Sequence, residues 1–354
     1  MFDLENLEEI KKIDTQDMYH KIIHLPEHIL KAYFQPEILK PLNLNLEKKF
    51  DKIVICGMGG SAISGDIIKA AFGHILPIQV VKDYKIENLS SKTLLIACSY
   101  SGNTEETLTI VKKAMDKNAT IAAVTSGGKL EKILVEKSLM VKLQTGYPPR
   151  SAIGFLYFSI IKILEEYKII PNQKEMVDRL VGQLVKKAGA ISYNENEKTN
   201  IAKSSAKKIN NKIPIVYAEQ PELFPLAYRW KCQINENAKY PAFCNYFPEF
   251  SHNEIEGWES LITQNNFIPV FVQRLSSEKE YAKHINAFKQ ILSDNGIEFL
   301  EFFVEGETLT EEIFSLIYLG DMISFYLAIL QDTDPTPISF INFIKSSFKK
   351  EKDI

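Results

Sequence analysis

The sequence predicts an α/β protein of two domains, each a parallel sheet sandwiched by helices. Three observations carry that expectation. The 354 residues suffice for two domains at roughly 150 residues each. Short apolar runs alternate with helical stretches along most of the chain, the pattern of strands covered on both faces by crossover helices. The alternation pauses at "KIIPNQKE" and then restarts, which puts the domains at 1–168 and 169–354.

The elements follow in order. Residues 1–50 read as a helical lead-in, "NLEEIKKI", "MYHKII", "EHILKAYF" and "PEILKPL", broken at Pro26, Pro36 and Pro41. The strands of the first half are "KIVICG" (52–57), "PIQVV" (77–81), "TLLIACS" (93–99), "TIAAVT" (120–125) and "LMVKLQ" (139–144). The helix "SAIGFLYFSIIKILEEY" (151–167) closes that half. The second half opens with helices, and its strands are "KIPIVYA" (212–218), "PAFCNY" (241–246), "FIPVFVQ" (267–273) and "IEFLEFFVE" (297–305). A long apolar helix spans about 311–331, and an amphipathic one ends the chain.

Hydrophobic residues at 45% and charged residues at 25% describe a soluble globular chain. A net charge of −3 without long like-charged blocks argues against nucleic acid or an anionic membrane surface as the main partner. The apolar stretches Ala152–Ile161 and Phe314–Leu330 are too short, or carry a charge at Asp321, for a membrane span. Cys56, Cys98, Cys232 and Cys244 show no CxxC spacing, and the acidic start "MFDLENLEEIKKID" lacks the form of a signal peptide. A cytoplasmic location is expected. His20, His24 and His28 have helical spacing, but Pro26 interrupts it and no acidic ligand accompanies them, so no metal site is expected.

The first strand runs into "GMGGSAISGD" (57–66) and then a helix. Glycines there let the backbone turn tightly and approach a ligand, and the helix start offers unpaired N–H groups. Gly57-x-Gly59-x-x-Ala62 with Asp83 also fits a dinucleotide fingerprint. The third strand hands over to a helix through "SYSGNTEETL" (99–108). In an open α/β sheet both loops lie beyond the carboxyl ends of the strands and can converge. Ser61, Ser99, Ser101 and Thr104 then offer hydroxyls to one concavity, which suits a phosphate monoester of about −1.5 to −2 charges. The plainer alternative is that Ser101 or Thr104 caps the helix, but three hydroxyls and a Gly-Asn pair exceed what a cap needs. With "SGGKL" (126–130), these segments resemble the sugar isomerase (SIS) domain, a phosphosugar-binding α/β fold.

Three further residues invite chemistry. Arg150 follows two prolines at a helix start, where a cation opposes the helix dipole, and so is expected to face an anion. Glu236 sits between two asparagines near a helix end. It is either a base in a partly desolvated site or an exposed partner of Lys239 at i+3. His252 lies in a polar loop, where an imidazole can move a proton near neutral pH or simply be solvated.

Together "PPR", "NENAK", "PE" and "SHNEIEGW" resemble the bifunctional phosphoglucose/phosphomannose isomerase family across most of the chain. The resemblance implies two SIS domains, a homodimer with shared active sites, hexose 6-phosphate substrates and no cofactor. It matches Glu236 to the base that moves a proton between C2 and C1, Arg150 to the enediolate stabiliser, and His252 to a ring-opening residue supplied by the neighbouring subunit. It matches Ser61, Ser99, Ser101 and Thr104 to phosphate ligands, with Gly59 and Gly60 as the backbone turn. The tail "DPTPISFINFIKSSFKK" (334–350) resembles a segment carrying an active-site lysine, with Lys345 the best match beside Lys349 and Lys350. Thr336 or Ile338 falls where the family's tolerance of mannose is set. A phosphosugar sensor without turnover would share the phosphate loop but would not require Glu236 or His252.

Overall fold

The computed structural model describes residues 3–264 and 266–350, the last three of these by backbone alone. Three helices lead in: α1 (Leu7–Ile13), α2 (Met18–Ile23) and α3 (Leu25–Phe34). The first sheet and its helices then run β1 (Glu37–Leu39), β2 (Lys52–Cys56), α4 (Gly60–Phe72), β3 (Ile78–Val81), β4 (Thr93–Cys98), α5 (Glu105–Asp116), β5 (Thr120–Thr125), α6 (Gly128–Leu134), β6 (Leu139–Lys142) and α7 (Ile153–Glu166). Helices α8 (Lys174–Ile191) and α9 (Ile201–Ile209) follow. The second unit comprises β7 (Ile213–Ala218), α10 (Phe224–Asn237), β8 (Phe243–Tyr246), α11 (Trp258–Gln264), β9 (Phe267–Gln273), α12 (Lys279–Asp294), β10 (Leu300–Phe303), α13 (Leu309–Leu330) and α14 (Ser339–Lys350).

The strand order is β1-β6-β5-β4-β2-β3 in one sheet and β10-β9-β7-β8 in the other. All pairings are parallel except β1, which runs antiparallel to β6. The expected strands are all present, and the α/β class holds. The segment "PEILKPL", expected to be helical, is instead β1. Pro36 and Pro41 bracket too few residues for a helical turn to propagate, and the exposed edge of β6 offers a ladder to three of the four residues between.

Alternation along the strands builds three apolar layers. Ile53 and Ile55 of β2 point into a layer shared by both sheets, where they join Val216, Val270 and Phe302 and residues of α3, α7 and α13. Val54 and Cys56 point to the opposite face, under α5 and α6. Tyr217 and Phe271 face the outer side of the second sheet, under α12. Helix α13 opens with a capping box, Thr308 with Glu311. It is long and apolar enough to cross a membrane by length and composition, yet it lies wholly buried inside the protein. Its neighbour α10 runs back from the carboxyl end of β7 to the amino end of β8, a path of about 21 Å at 1.5 Å per residue. The two ends of α10 therefore lie at opposite strand ends of the second sheet.

Candidate active site

Strands β2 and β4 are neighbours, with Cys56 opposite Ala97, so the loops after them leave side by side. A Cβ on Gly57 would meet the Cys98 carbonyl at 2.7 Å, which explains glycine at that exit. The Tyr100 N–H donates to Ser61 Oγ at 3.3 Å, tying the two loops together. Ser99 Oγ and Thr104 Oγ1 share a hydrogen bond of 2.9 Å. Thr104 occupies the N-cap position of α5, yet its side chain makes no capping bond, and Gly59 at the N-cap of α4 has no side chain to make one. The plain capping alternative is thus not what the loop adopts. Ser101 is exposed, and its Oγ accepts from the Asn103 N–H at 3.3 Å.

The loop 126–130 holds this turn from behind. Gly102 has φ +64°, and a Cβ there would lie 1.7 Å from the Gly127 carbonyl oxygen. Asn103 donates to the Ser101 carbonyl at 3.0 Å and accepts from the Lys129 N–H at 3.1 Å. Two helix N-termini without side-chain caps and a set of hydroxyls therefore meet at one sheet end, an arrangement suited to an anion with several acceptor oxygens. Asp83, by contrast, is exposed and accepts from the neighbouring Tyr84 N–H, so its carboxylate serves its own turn.

Gly60 connects this cradle to Arg150. A Cβ on Gly60 would meet the Pro149 carbonyl carbon and oxygen at 2.8 Å and the Arg150 nitrogen at 2.9 Å, so α4 begins in backbone contact with the 3-10 turn Pro149–Ser151. The Arg150 side chain is 3% exposed. Its Nε donates to Asn237 Oδ1 at 2.6 Å, and Nη2 donates to the carbonyls of Pro335 at 2.6 Å and Thr336 at 2.9 Å. Guanidinium has five N–H groups, and these bonds use three. The two on Nη1 remain, and Nη1 faces Glu236 Oε2 at 3.5 Å. Burial lowers the Arg150 pKa, opposed first by the Glu236 carboxylate and then by Asp334.

The pairing of Glu236 with Lys239 expected on an exposed face is not formed by the carboxylate. Lys239 Nζ instead donates to the main-chain carbonyls of Glu236 (2.9 Å), Asn237 (3.2 Å), Asp334 (2.8 Å) and Pro335 (3.1 Å). It closes the C-terminus of α10 and clasps the segment 334–335 against it. Burial first, and the Arg150 charge second, push the Lys239 amine down to about 8. Beside it a cleft of about 700 Å³ opens between the end of α10 and residues 337–341, lined by Glu236, Lys239, Tyr240, Ile338 and Phe340 among others. That volume is in the range of a small-molecule site.

Two expected residues stand apart. His252 is exposed in the 3-10 turn Glu249–His252 that follows β8, at the carboxyl end of the second sheet, whereas Glu236 lies at its amino end. Its ring neighbour is His284, with centroids 6.4 Å apart, and no hydrogen bond or ion pair among the described residues joins it to Arg150 or Glu236. Lys345 is exposed on α14. Ile341 lines the cleft, and Lys345, four residues on, shares that helix face about one turn, or about 6 Å, beyond it. The side chains of Lys349 and Lys350 lie outside those described. Thr336 Oγ1 is buried without a partner among the described residues, while its carbonyl holds Arg150. His20 lies on α2, His24 is the cap residue between α2 and α3, and His28 lies on α3, stacked on Phe155 at 4.5 Å.

Residues that sequence reasoning passed over complete the frame. Arg229 Nη2 donates to the Arg150 carbonyl at 2.9 Å and pairs with Asp321 at 2.5 Å. Asn237 Nδ2 donates to Ser324 Oγ at 2.9 Å. The one available signal was Asp321 itself, a charge within the apolar stretch Phe314–Leu330. The carbonyls of 334–336 leave no mark in a sequence.

Comparison with known proteins follows this geometry. Residues 46–151 match the SIS domain, and residues 198–348 match the bacterial phospho-glucose isomerase C-terminal SIS domain. A bifunctional phosphoglucose/phosphomannose isomerase of Caldicellulosiruptor bescii is 35% identical over 95% of this chain and 100% of its own length. A D-glucosamine-6-phosphate 4-epimerase of Sulfolobus acidocaldarius is 37% identical over 68% of this chain and 74% of its own. Among solved structures, a hypothetical protein of Thermus thermophilus superposes with a TM-score of 0.70 at 13% identity, covering 98% of this chain and 90% of that one. The last of these bears on the fold alone.

Proposed function

The chain belongs to the bifunctional phosphoglucose/phosphomannose isomerase family, and from that premise we propose that it interconverts fructose 6-phosphate with glucose 6-phosphate and mannose 6-phosphate through an enediolate. The observation that carries the site assignment is the Glu236 carboxylate set 3.5 Å from Nη1 of Arg150, the guanidinium nitrogen with no other partner among the described residues. A base must be close to the charge its own proton abstraction creates, and here the two groups are direct neighbours.

The phosphate rests on the hydroxyls of Ser61, Ser99, Ser101 and Thr104 and on the backbone at Gly59 and Gly60. That fixes the sugar with C1 and C2 toward Glu236. The carboxylate takes the C2 proton of the open aldose and returns it to C1, while Nη1 of Arg150 stabilises the enediolate oxygen. Ring opening is assigned to His252 and Lys345. The family resemblance assigns His252 to the Glu236 of a second copy in a homodimer, and its place at the opposite end of the second sheet from the Glu236 of its own chain supports that reading. Lys345 lies one helical turn beyond Ile341, which lines the cleft of its own chain. The chain divides into domains at 1–168 and 169–354. The free cysteines suit the reducing cytoplasm, where the reaction links glycolysis and gluconeogenesis.

The test incubates purified protein with fructose 6-phosphate and excess chelator and quantifies glucose and mannose 6-phosphates separately, with D-glucosamine 6-phosphate as a parallel substrate. Both hexose phosphates should form. Glu236→Gln should lose at least about 100-fold in kcat, the scale of acid–base catalysis. Near wild-type turnover in that variant would remove Glu236 from its role. Tight binding without any isomerisation would favour a sensor.

A further inference from the structure

The interface between α10 and α13 is an unusual place for polar groups. Arg229, Gln233 and Asn237 recur every four residues along one face of α10, and Asp321 and Ser324 face them from α13; all five are buried. Apolar side chains of similar size would fill such an interface without the desolvation cost that charges and amides carry. Arg229 Nε has no hydrogen-bond partner among the described residues, and the Gln233 amide is set against the Asp321 carboxylate. Packing alone does not account for the stripe, but its upper end does: it terminates on Arg150.

The bonds there dictate one orientation. Ser324 Oγ donates its only proton to the Asp321 carbonyl at 2.7 Å, so toward Asn237 it can only accept. The amide must therefore present Nδ2 to Ser324, at 2.9 Å, and Oδ1 to Arg150 Nε, at 2.6 Å. With Nε held by Asn237 and Nη2 held by Pro335 and Thr336, the planar guanidinium is fixed at two corners. Its third corner, Nη1, is aimed at the Glu236 side. The Arg150 main chain is fixed as well, by Arg229 from two turns earlier on α10.

We infer that Asn237, set by Ser324, is a positioning residue that orients the Arg150 guanidinium for the reaction. The inference rests on the reading of Arg150 as the enediolate stabiliser. Aspartate is isosteric but cannot donate to Ser324, and its charge would compete with Glu236 for Arg150. The other charged groups around that point are Lys239, Asp334, Arg229 and Asp321.

The experiment measures kcat, KM and the pH profile of kcat for fructose 6-phosphate in Asn237→Asp and Ser324→Ala, with thermal unfolding as a check on folding. Asn237→Asp should lose about 10- to 100-fold in kcat, the scale of a misplaced catalytic group, with KM within about threefold of wild type. Its pH profile of kcat should change as well, because a new carboxylate beside Arg150 titrates within the site; a merely structural defect would leave that profile in place. Ser324→Ala should lose about three- to tenfold in kcat, the worth of about one hydrogen bond, and it serves if the aspartate variant fails to fold. A folded Ser324→Ala with full kcat, or an Asn237→Asp with unchanged kcat and pH profile, overturns the inference. If Glu236→Gln is impaired while these variants are normal, only the positioning role falls; if Glu236→Gln is fully active, the reading beneath it falls.

Discussion

Replacing Gly60 by alanine should separate the phosphate cradle from the catalytic pair. The added methyl would lie 2.8 Å from the carbonyl carbon and oxygen of Pro149 and 2.9 Å from the Arg150 nitrogen. Carbon atoms in contact sit about 3.5 Å apart or more, so the two segments must part by about 0.7 Å. The three atoms nearest the methyl are all backbone, so no flexible side chain can yield there. Overpacking of this kind costs about 1–3 kcal/mol of stability, offset in part by alanine's helix preference of about 1 kcal/mol. The chemical cost is larger. A displacement near 1 Å of a reacting group lowers rates about 100-fold, so Gly60→Ala should lose about 10- to 100-fold in kcat/KM. Gly65→Ala is the control: it lies on the same helix, but its methyl meets the Ile55 and Val80 side chains at 2.9 and 3.3 Å. That variant should lower the melting temperature with kcat within about twofold of wild type. A coupled assay of glucose 6-phosphate formation beside thermal unfolding reads both effects. Gly60→Ala with unaltered kcat/KM would refute the claim that this contact sets the distance between cradle and base.

Two further expectations test the cradle and the core. Ser99→Ala removes one partner of the Ser99–Thr104 pair and one of the donors proposed for the phosphate dianion, so KM for fructose 6-phosphate should rise about tenfold, with competitive inhibition by inorganic phosphate weakened alongside; an unchanged KM would place the phosphate elsewhere. Burial first, then the nearby charges of His24 and Lys31, lower the His28 pKa from 6.5 to about 3. The folded state therefore declines a proton that the unfolded chain takes up, so stability is full above pH 6.5 and falls as pH drops toward 3. Between pH 7 and pH 5 the loss should be about 2 kcal/mol, and His28→Phe, which keeps the stacking on Phe155, should flatten that part of the melting curve against pH. An equal acid slope in both proteins would assign the loss to another group.

The sequence made the layered α/β plan legible because its strands are short, buried on both faces and separated by helices with clear periodicity. The hydroxyl loop was legible too, because its residue types exceed what a helix cap uses, and Thr104 indeed turns to Ser99 rather than to the helix end. Other features were not. The edge strand at 37–39 owes its form to a partner about a hundred residues later, and local propensity cannot see such a partner. Only 16 positions separate Glu236 from His252, but β8 carries the chain across the sheet between them. The three acceptors of the Arg150 guanidinium are one amide and two main-chain carbonyls. A carbonyl belongs to every residue, so nothing in the letters at 335 and 336 announces it.

Those carbonyls also set a schedule. A ribosome completes both sheets, through Phe303 of β10, before it reaches Pro335 and Thr336. Until then the buried Arg150 has neither of the carbonyls that receive its Nη2 protons, and Lys239 lacks two of its four. The nascent chain can therefore assemble its whole hydrophobic interior and still lack a fixed guanidinium. Activity should arrive in one late step, when the strap from 334 to 336 is laid across the end of α10. A chain cut by a protease just after α13 would be folded and silent.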